Sequence, residues 1–534
     1  MLGGAVAKFL ISFITLGLVL GLGGCYSDPQ VQTGYGTLSG TQDGKVKRFL
    51  GIPYAKPPVG ELRWANPQPP EPWEGVFEAH VKGHACTQYG TGIPVFSPDE
   101  DCLTLNIWVP KSEGPHPVMF WVHGGAQMAG SSNELQYAGG PLAHAQDVIV
   151  VSANYRLLVS GFYALPEGPN HPALTGNQAI KDLIAALEWV NSEIHHFGGD
   201  PNNITVFGES AGSTNTCALL ATPKTRNPDL FQRVIMQSGA CDTLGVMSLE
   251  AAQQEGERFM GLIGCDSAPN PLACARDLPI DALREPVKTD MWQAFGWRAD
   301  EWLFQMGLVV DGDVFPQDPL WLLENDPRPN TPILLGTNAD EGSLFAGFVG
   351  HPDDAQGYEA FLHDRYPEAA DLLLEQYPFE DYPNAGYAHA DIRGDMIMKC
   401  PTLNMAQLYS QHNATWMYSL THVPFSPVFE VISLLFKENP PALGAFHTAD
   451  IGFLFDFPFI TTFTRPSDRQ VRAFMQQAWG NFARTGNPNG EGLPHWQVFD
   501  SNQNNYLDIN AQPSNQSNFR NGACDFWFKL GYGF

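Results

Sequence analysis

Continuous apolar runs alternate along the middle of the chain with segments whose apolar residues recur at a helical spacing. Each run predicts a strand that is covered on both faces of a sheet. The runs lie at 118–122, 148–151, 204–207, 233–236, 333–335 and 415–418. Between 180 and 194 the apolar residues follow a period of 3.6, which predicts a helix that lies on the sheet and ends at Gly198. The alternation predicts an α/β fold with a mostly parallel central sheet flanked by helices.

The first 24 residues are typical of an export signal. Lys8 precedes an apolar stretch at 9–22, which is too short to span a bilayer comfortably. The stretch ends in Leu22-Gly23-Gly24-Cys25, which resembles a bacterial lipobox, where the signal is cut before a cysteine that is then acylated. An ordinary secretory signal is the alternative. We expect an exported protein, either a bacterial cell-envelope lipoprotein that is anchored in the membrane through Cys25 or a secreted protein, with 25–33 as a short tether.

Composition excludes several classes of protein. With 29 basic and 57 acidic side chains, the 534-residue chain carries a net charge of −28, which argues against a nucleic-acid partner. An apolar fraction of 43% is too high for a disordered chain. Nine cysteines fit an oxidising compartment, and no CxxC or HExxH spacing predicts a metal site. The sequence alone leaves the pairing of the cysteines open.

A serine motif stands between the strand at 204–207 and an apolar helix. Residues 208–212 are Gly-Glu-Ser-Ala-Gly, the pattern of a strained strand-to-helix turn that exposes a serine hydroxyl above the sheet. Ser210 is therefore the predicted nucleophile, and it needs a base. Among fifteen histidines, His447 and His422 are the candidates, whereas His195 and His196 stand at a helix end, where we expect them to cap carbonyls.

A glycine turn follows the strand at 118–122. Its sequence is His123-Gly124-Gly125-Ala126, similar to the HGGG turn of esterases. We expect the backbone N–H groups of Gly125, Ala126 and Ala211 to converge on one oxygen and to form an oxyanion hole.

These motifs, together with Phe-Leu-Gly-Ile-Pro-Tyr-Ala at 49–55 and Glu-Asp-Cys-Leu-Thr-Leu-Asn-Ile-Trp at 100–108, resemble those of the type-B carboxylesterases. This family is the cholinesterase-like branch of the α/β-hydrolases. The resemblance covers about 34–528 and implies one catalytic domain at 34–534, with its active site in a gorge. It implies a catalytic triad of Ser210, His447 as the base and Glu341 as the carboxylate, with Asp340 beside Glu341. It places Glu209 and Asp450 at the base of the gorge.

The resemblance also implies how the chain is cross-linked. Disulfides are expected between Cys86 and Cys102, Cys265 and Cys274, and Cys400 and Cys524. Cys217 and Cys241 are expected to stay unpaired. Two structural ion pairs, Arg63 with Glu100 and Arg156 with Asp182, are also expected.

The implied activity is hydrolysis of a carboxylic ester through an acyl-enzyme, with a small-molecule substrate and without metal or cofactor. The implied substrate pocket contains Glu209, Trp302, Phe304, Leu344 and Phe345. Aromatic walls at 302 and 304 favour short acyl groups. A choline ester is not expected, because 86–102 contains no tryptophan and a leucine stands at 344 in place of a gorge aromatic.

Two other functions remain open on the sequence. One is a lipase that acts on long acyl chains, for which the apolar stretch 428–436 would be a lid; its other interpretation is a buried helix. The second is a non-catalytic adhesion or binding protein on the same fold, because fold does not determine function. The presence of Ser210, Glu341 and His447 together argues against this second alternative.

Overall fold

The computed structural model describes residues 28–91, 97–168, 170–227, 229–290, 307–425, 433, 436–457 and 465–531. The strands in these ranges are β1 (Gln30–Thr33), β2 (Gly36–Ser39), β3 (Thr41–Asp43), β4 (Val46–Pro53), β5 (Val76–Glu78), β6 (Ala85–Cys86), β7 (Gly90–Thr91), β8 (Pro98–Asp99), β9 (Thr104–Pro110), β10 (His116–Val122), β11 (Ile149–Ala153), β12 (Ala164–Leu165), β13 (Leu174–Thr175), β14 (Gly199–Glu209), β15 (Arg233–Gln237), β16 (Val246–Ser248), β17 (Thr289–Asp290), β18 (Leu308–Val310), β19 (Ile333–Asn338), β20 (Thr415–Leu420), β21 (Tyr506–Ile509) and β22 (Ser514–Gln516). The α-helices are Gly140–Gln146, Leu158–Gly161, Gln178–Glu193, Ala211–Ala221, Leu249–Leu262, Pro271–Asp277, Ile280–Arg284, Pro319–Asn325, Ser343–Gly347, Ala355–Arg365, Ala370–Gln376, Ala385–Gly394, Cys400–Tyr409, Ala449–Phe455, Pro466–Thr485 and Ala523–Leu530.

Eleven strands form the central sheet, in the order β22-β21-β20-β19-β15-β14-β10-β11-β9-β4-β3. From β21 to β11 every neighbouring pair is parallel, which confirms the predicted mostly parallel sheet. Five of the six apolar runs lie entirely in these strands, and the run 148–151 begins one residue before β11. The outer pairs β11–β9, β9–β4, β4–β3 and β21–β22 are antiparallel, and no run predicted them.

Both faces of the sheet are buried. Successive side chains of a strand point to opposite faces, so neighbouring residues of one strand belong to different cores. In β10, Val118 and Phe120 join the larger apolar core, whereas Met119 and Trp121 join a second core on the other face. The helix Gln178–Glu193 covers the first face, as predicted, and a 3₁₀ turn continues it to Gly198. At Gly198 the φ is +83°, so a glycine suits this left-handed cap. The helix Pro466–Thr485 covers the second face.

The two expected ion pairs are both present and both bidentate. Nε and Nη2 of Arg63 each donate to Glu100 at 2.7 Å. Nε and Nη2 of Arg156 each donate to Asp182, also at 2.7 Å, in a fully buried setting. Removing one partner of such a buried pair would leave an uncompensated charge, which is strongly destabilising.

The three expected disulfides are present, but a fourth corrects the expectation that two cysteines stay unpaired. Cys217 is bonded to Cys241, in addition to the bonds Cys86–Cys102, Cys265–Cys274 and Cys400–Cys524. Cys217 lies on the helix that follows β14, and Cys241 lies on the loop that follows β15. Because β14 and β15 are neighbours in the sheet, the fold brings the two Cα atoms to 5.2 Å.

Several predicted features lie outside the described residues: the signal segment with Cys25, the pocket aromatics Trp302 and Phe304, and most of the stretch 428–436. Within the ranges given above, no helix combines the length and apolar character that a bilayer crossing requires.

Candidate active site

Ser210 stands at the sharp turn between β14 and the helix Ala211–Ala221. Its φ of 57° and ψ of −127° place a non-glycine residue in the left-handed half of the map, which costs energy and is typical of functional sites. Gly208 and Gly212 lie on either side of Ser210, where a side chain would clash with the backbone. A Cβ on Gly208 would lie 2.4 Å from the Gly212 oxygen, and a Cβ on Gly212 would lie 2.1 Å from the oxygen of Val122. The sequence motif therefore has the local structure that it predicted.

His447 and Glu341 are in direct contact. The imidazole Nδ1–H of His447 donates to Oε2 of Glu341 at 2.6 Å. Oε1 of the same carboxylate accepts from the Ser238 hydroxyl at 2.5 Å and from the Asn338 N–H at 2.7 Å. Glu341 is fully buried, and each of its two oxygens has at least one donor. These bonds fix the orientation of the carboxylate and, through it, the orientation of the imidazole.

The other imidazole nitrogen faces a second carboxyl group. Nε2 of His447 lies 3.2 Å from Oε1 of Glu209, the residue before Ser210, and this oxygen makes no hydrogen bond among the described residues. Burial raises the pKa of Glu209 well above its usual range, although His447 opposes the shift. Burial alone would lower the pKa of the imidazole, but Glu209 and Glu341 together outweigh it and raise the pKa of His447 above 6.5.

Asp340 joins the two loops that carry Glu341 and His447. Its Oδ2 accepts from the Ala445 N–H at 2.7 Å, and its own N–H donates to the Ala445 oxygen at 3.0 Å. Gly444 has a φ of +62°, and a Cβ there would lie 2.1 Å from Oδ2 of Asp340. Asp340 therefore links the loop that carries His447 to the turn that carries Glu341, and it does not contact the imidazole itself.

Asp450 lies deeper than the histidine and is fully buried. It accepts from Nε2 of Gln237 at 2.8 Å and from the Tyr418 hydroxyl at 3.0 Å. Burial raises its pKa. The described residues contain no group of three or more His, Cys, Asp or Glu side chains that could hold a metal ion.

The glycine turn lies against the nucleophile. A Cβ on Gly124 would lie 3.0 Å from Oε2 of Glu209 and 3.1 Å from Cβ of Ser210. The next residues, Gly125 and Ala126, have φ values of 117° and 53°. Their N–H groups and that of Ala211 donate to no acceptor within the described part of the chain. The three groups predicted to form an oxyanion hole are therefore available to a ligand.

The other histidines considered from the sequence lie elsewhere. Nε2 of His422 lies 2.7 Å from Oδ1 of Asp468, at the start of the helix Pro466–Thr485. His195 and His196 are in the 3₁₀ turn after the helix Gln178–Glu193, where the backbone oxygen of His195 accepts from Gly198. The ring of His196 lies 3.8 Å from the Glu193 carboxylate. The histidine in contact with Glu341 is His447.

Of the predicted pocket residues, Glu209 and Phe345 contact the histidine. The rings of Phe345 and His447 have centroids 5.1 Å apart. Leu344 is half-buried and packs against the second core. Trp302 and Phe304 are outside the described residues.

Two groups that hold Glu341, Ser238 and Asn338, were not predicted from the sequence. A signal for them exists, because Ser238 directly follows β15 and Asn338 ends β19. The carboxyl ends of parallel neighbours meet at one edge of a sheet, where ligands bind in open α/β folds.

Comparison with known proteins assigns the chain to a family. A model of the Carboxylesterase family matches residues 27–527. The chain belongs to the carboxylesterase family. It is a carboxylic ester hydrolase of the serine type with the α/β-hydrolase fold, as the sequence predicted.

Relatives in this family are similar over nearly their whole length. An acylcarnitine hydrolase from Mus musculus is 34% identical over 92% of this chain and 89% of its own. An acetylcholinesterase from Bungarus fasciatus is 32% identical over 91% and 83%, respectively. A cocaine esterase from Homo sapiens is 32% identical over 91% and 87%. These three relatives are named for three different substrates, so membership of the carboxylesterase family does not determine the substrate.

Proposed function

We propose that Ser210, His447 and Glu341 are the catalytic triad of an esterase that hydrolyses small carboxylic esters. The observation that supports this most directly is the 2.6 Å contact between Nδ1 of His447 and Oε2 of Glu341. Ser210 directly follows β14, and Glu341 follows β19; only β15 separates these two strands in the sheet. Their carboxyl ends therefore lie at one edge, where a serine, a histidine and a carboxylate are able to act in sequence.

In the first half of the reaction, Oγ of Ser210 attacks the ester carbonyl carbon while Nε2 of His447 takes the hydroxyl proton. Glu341 accepts the Nδ1–H bond and stabilises the imidazolium that forms. The carbonyl oxygen becomes an oxyanion, which the N–H groups of Gly125, Ala126 and Ala211 bind. The C–O bond to the alcohol then breaks, and the alcohol leaves with the proton from His447.

In the second half, water replaces the alcohol. His447 takes a proton from the water, whose oxygen attacks the acyl carbon, and the acid is released as Ser210 regains its proton. Apart from the ester and the water, every group that acts in these steps belongs to the chain. The protonation state of His447 controls both halves, because only a neutral Nε2 accepts a proton.

We propose short acyl groups as the preferred substrates. The ring of Phe345 is tilted by 48° against the His447 ring, with centroids 5.1 Å apart, and occupies space beside the proposed base. The sequence adds Trp302 and Phe304 as aromatic walls. Overpacking of a filled pocket costs roughly 1–3 kcal/mol, which is enough to discriminate between acyl chains.

A series of nitrophenyl esters from two to sixteen carbons tests both proposals. We expect acetyl to butyryl esters to have the highest kcat/KM, and we expect Ser210→Ala to abolish turnover of every ester. A rapid release of nitrophenol that matches the enzyme concentration would reveal the acyl-enzyme. A preference for long acyl chains would favour the lipase alternative, whereas activity in Ser210→Ala would refute the proposed nucleophile.

We further propose that the protein is exported and anchored through Cys25. The four disulfides support an oxidising compartment. Mass spectrometry of the mature N-terminus should find an acylated Cys25, and Cys25→Ala should release the protein from membranes. A soluble wild-type protein whose unmodified N-terminus lies downstream of residue 25 would refute the anchor but not the export.

A further inference from the structure

We propose that the side-chain amides of Gln127 and Asn215 are a positioning pair that sets the spacing between the two halves of the oxyanion hole. The inference rests on the proposed function, because it concerns the same N–H groups. Gly125 and Ala126 supply two of them from the loop after β10, and Ala211 supplies the third from the helix Ala211–Ala221. The two halves of the oxyanion hole lie on separate segments of the chain, so contacts between these segments must fix the distance between the halves.

The loop half is strained and therefore needs external support. Ala126 and Gln127 are consecutive non-glycine residues with φ values of 53° and 60°. A left-handed conformation costs roughly 1–2 kcal/mol for each such residue, and it persists only where the surroundings determine it. Without partners, this loop would relax toward ordinary φ values, and the N–H groups of Gly125 and Ala126 would turn away from Ser210.

The Gln127 side chain supplies the main link across the site. Its Nε2 donates to Oδ1 of Asn215 at 2.6 Å, and Nδ2 of Asn215 donates back to Oε1 of Gln127 at 3.2 Å. The two residues are 2% and 0% exposed, so water does not compete for these bonds. Two antiparallel bonds between planar amides define both a distance and an orientation, which a single bond would not do.

Tyr155 holds the beginning of the loop. Its hydroxyl donates to the backbone oxygen of His123 at 2.7 Å. The rings of Tyr155 and His123 stack with centroids 4.4 Å apart. Tyr155 therefore holds the start of the segment His123 to Gln127, and Asn215, four residues after Ala211, holds its end.

The position of these N–H groups matters because an oxyanion hole acts through preorganised donors. Loss of one donor typically lowers kcat by about 100- to 1,000-fold. Misplacing a group by about 1 Å relative to the reacting atoms lowers the rate by up to about 100-fold. Neither Gln127 nor Asn215 needs to touch the substrate for this effect. They act through the backbone that they hold.

The test replaces the pair without changing its volume greatly. Gln127→Met and Asn215→Leu each remove both amide bonds. Gln407→Met is the matched control, because Nε2 of Gln407 donates to Oδ1 of Asn504 at 2.9 Å in a separate part of the fold. For each variant, kcat and KM for nitrophenyl acetate are measured together with the inhibition constant of a trifluoromethyl ketone, whose hemiketal oxyanion occupies the oxyanion hole.

We expect Gln127→Met and Asn215→Leu to lower kcat by about 10- to 100-fold and to weaken ketone inhibition by a similar factor, with little change in KM. The double variant should lose no more than the worse single variant, because the residues act as one unit. Gln407→Met should keep wild-type kinetics. If either single variant fails to fold, Asn215→Asp, which keeps the size but removes one donor, replaces it.

Wild-type kcat and ketone inhibition in the folded variants would overturn the inference, even with a lowered Tm, because that result means a structural role only. The proposed function fails separately: activity in Ser210→Ala would refute the nucleophile whatever the amide variants do. An inactive Ser210→Ala beside unchanged amide variants would refute the positioning pair alone.

Discussion

Two histidine–carboxylate pairs in this molecule differ in what surrounds them. Nδ1 of His447 contacts Glu341 at 2.6 Å, and Nε2 of His422 contacts Asp468 at 2.7 Å. The histidine of each pair lies on a loop. The carboxylate of each pair is almost completely buried. Distance and burial therefore do not separate the proposed catalytic pair from the other pair.

The second oxygen of each carboxylate makes the difference. In Glu341 it accepts from Ser238 and Asn338, at the strand ends beside Ser210. In Asp468 it accepts from the N–H of Arg465 at 2.7 Å, at the start of the helix Pro466–Thr485. The first pair is thus connected to the edge of the sheet that carries the predicted nucleophile, whereas the second pair closes the end of a helix.

The largest expected difference between the pairs is in kcat. His447→Ala should lower kcat on the order of 10⁵- to 10⁶-fold, because the serine loses its base. His422→Ala should leave kcat essentially unchanged. Steady-state kinetics with nitrophenyl acetate, on variants whose circular dichroism matches that of the wild type, measures both. A reversed order would identify His422 as the base.

Substitutions of the two carboxylates should differ in their effect on kcat in the same direction, but by a smaller factor. Glu341→Gln should lower kcat by about 10⁴-fold, because an amide stabilises the wrong imidazole tautomer. Asp468→Asn, the matched change in the other pair, should have wild-type kcat. Equal losses of kcat in both variants would mean that the two carboxylates do not differ in role.

The pH dependence sharpens the assignment further, because Glu209 faces His447. The pKa of His447 is raised, so kcat/KM should fall as the pH drops through a value above 6.5, where the imidazole becomes charged. Glu209→Gln removes a neighbouring carboxylate, lowers this pKa and should move the acid limb down by about one pH unit. Glu188→Gln, on the helix Gln178–Glu193, is the control and should not move it. An acid limb at the same pH in Glu209→Gln would show that this carboxyl does not act on the imidazole.

The smallest expected effect concerns stability at the structural pair. Asp468→Ala should lower the free energy of unfolding by about 1–3 kcal/mol, because a helix start and the partly buried His422 both lose a partner. Asp354→Ala is the control: Asp354 caps the helix Ala355–Arg365 through one bond, at 2.7 Å from the Gly357 N–H, and should cost about 1 kcal/mol. Guanidinium unfolding measures both. Equal losses would mean that the His422 contact adds nothing.

The central strands were predictable because burial on both faces makes them continuous apolar runs. The outer strand β4 was not, because its sequence Val-Lys-Arg-Phe-Leu-Gly-Ile-Pro mixes buried and partly exposed positions. In the site, the turn of Ser210 and the glycine turn were predictable because both motifs are local. The choice between His447 and His422 came from family resemblance, since periodicity and spacing do not tell which histidine reaches a carboxylate.

Some features depended on the sequence by itself and others on the folded chain. The strained turn at Ser210 is encoded in its local motif, because a side chain at Gly208 would clash with the backbone oxygen of Gly212. The bond between Cys217 and Cys241 and the amide pair of Gln127 and Asn215 were decided only by the tertiary structure. Residues 127 and 215 are 88 positions apart, and the packing of β10 beside β14 brings them into contact. A side-chain bond forms only within a few ångströms, and no local pattern encodes such a distance between remote segments.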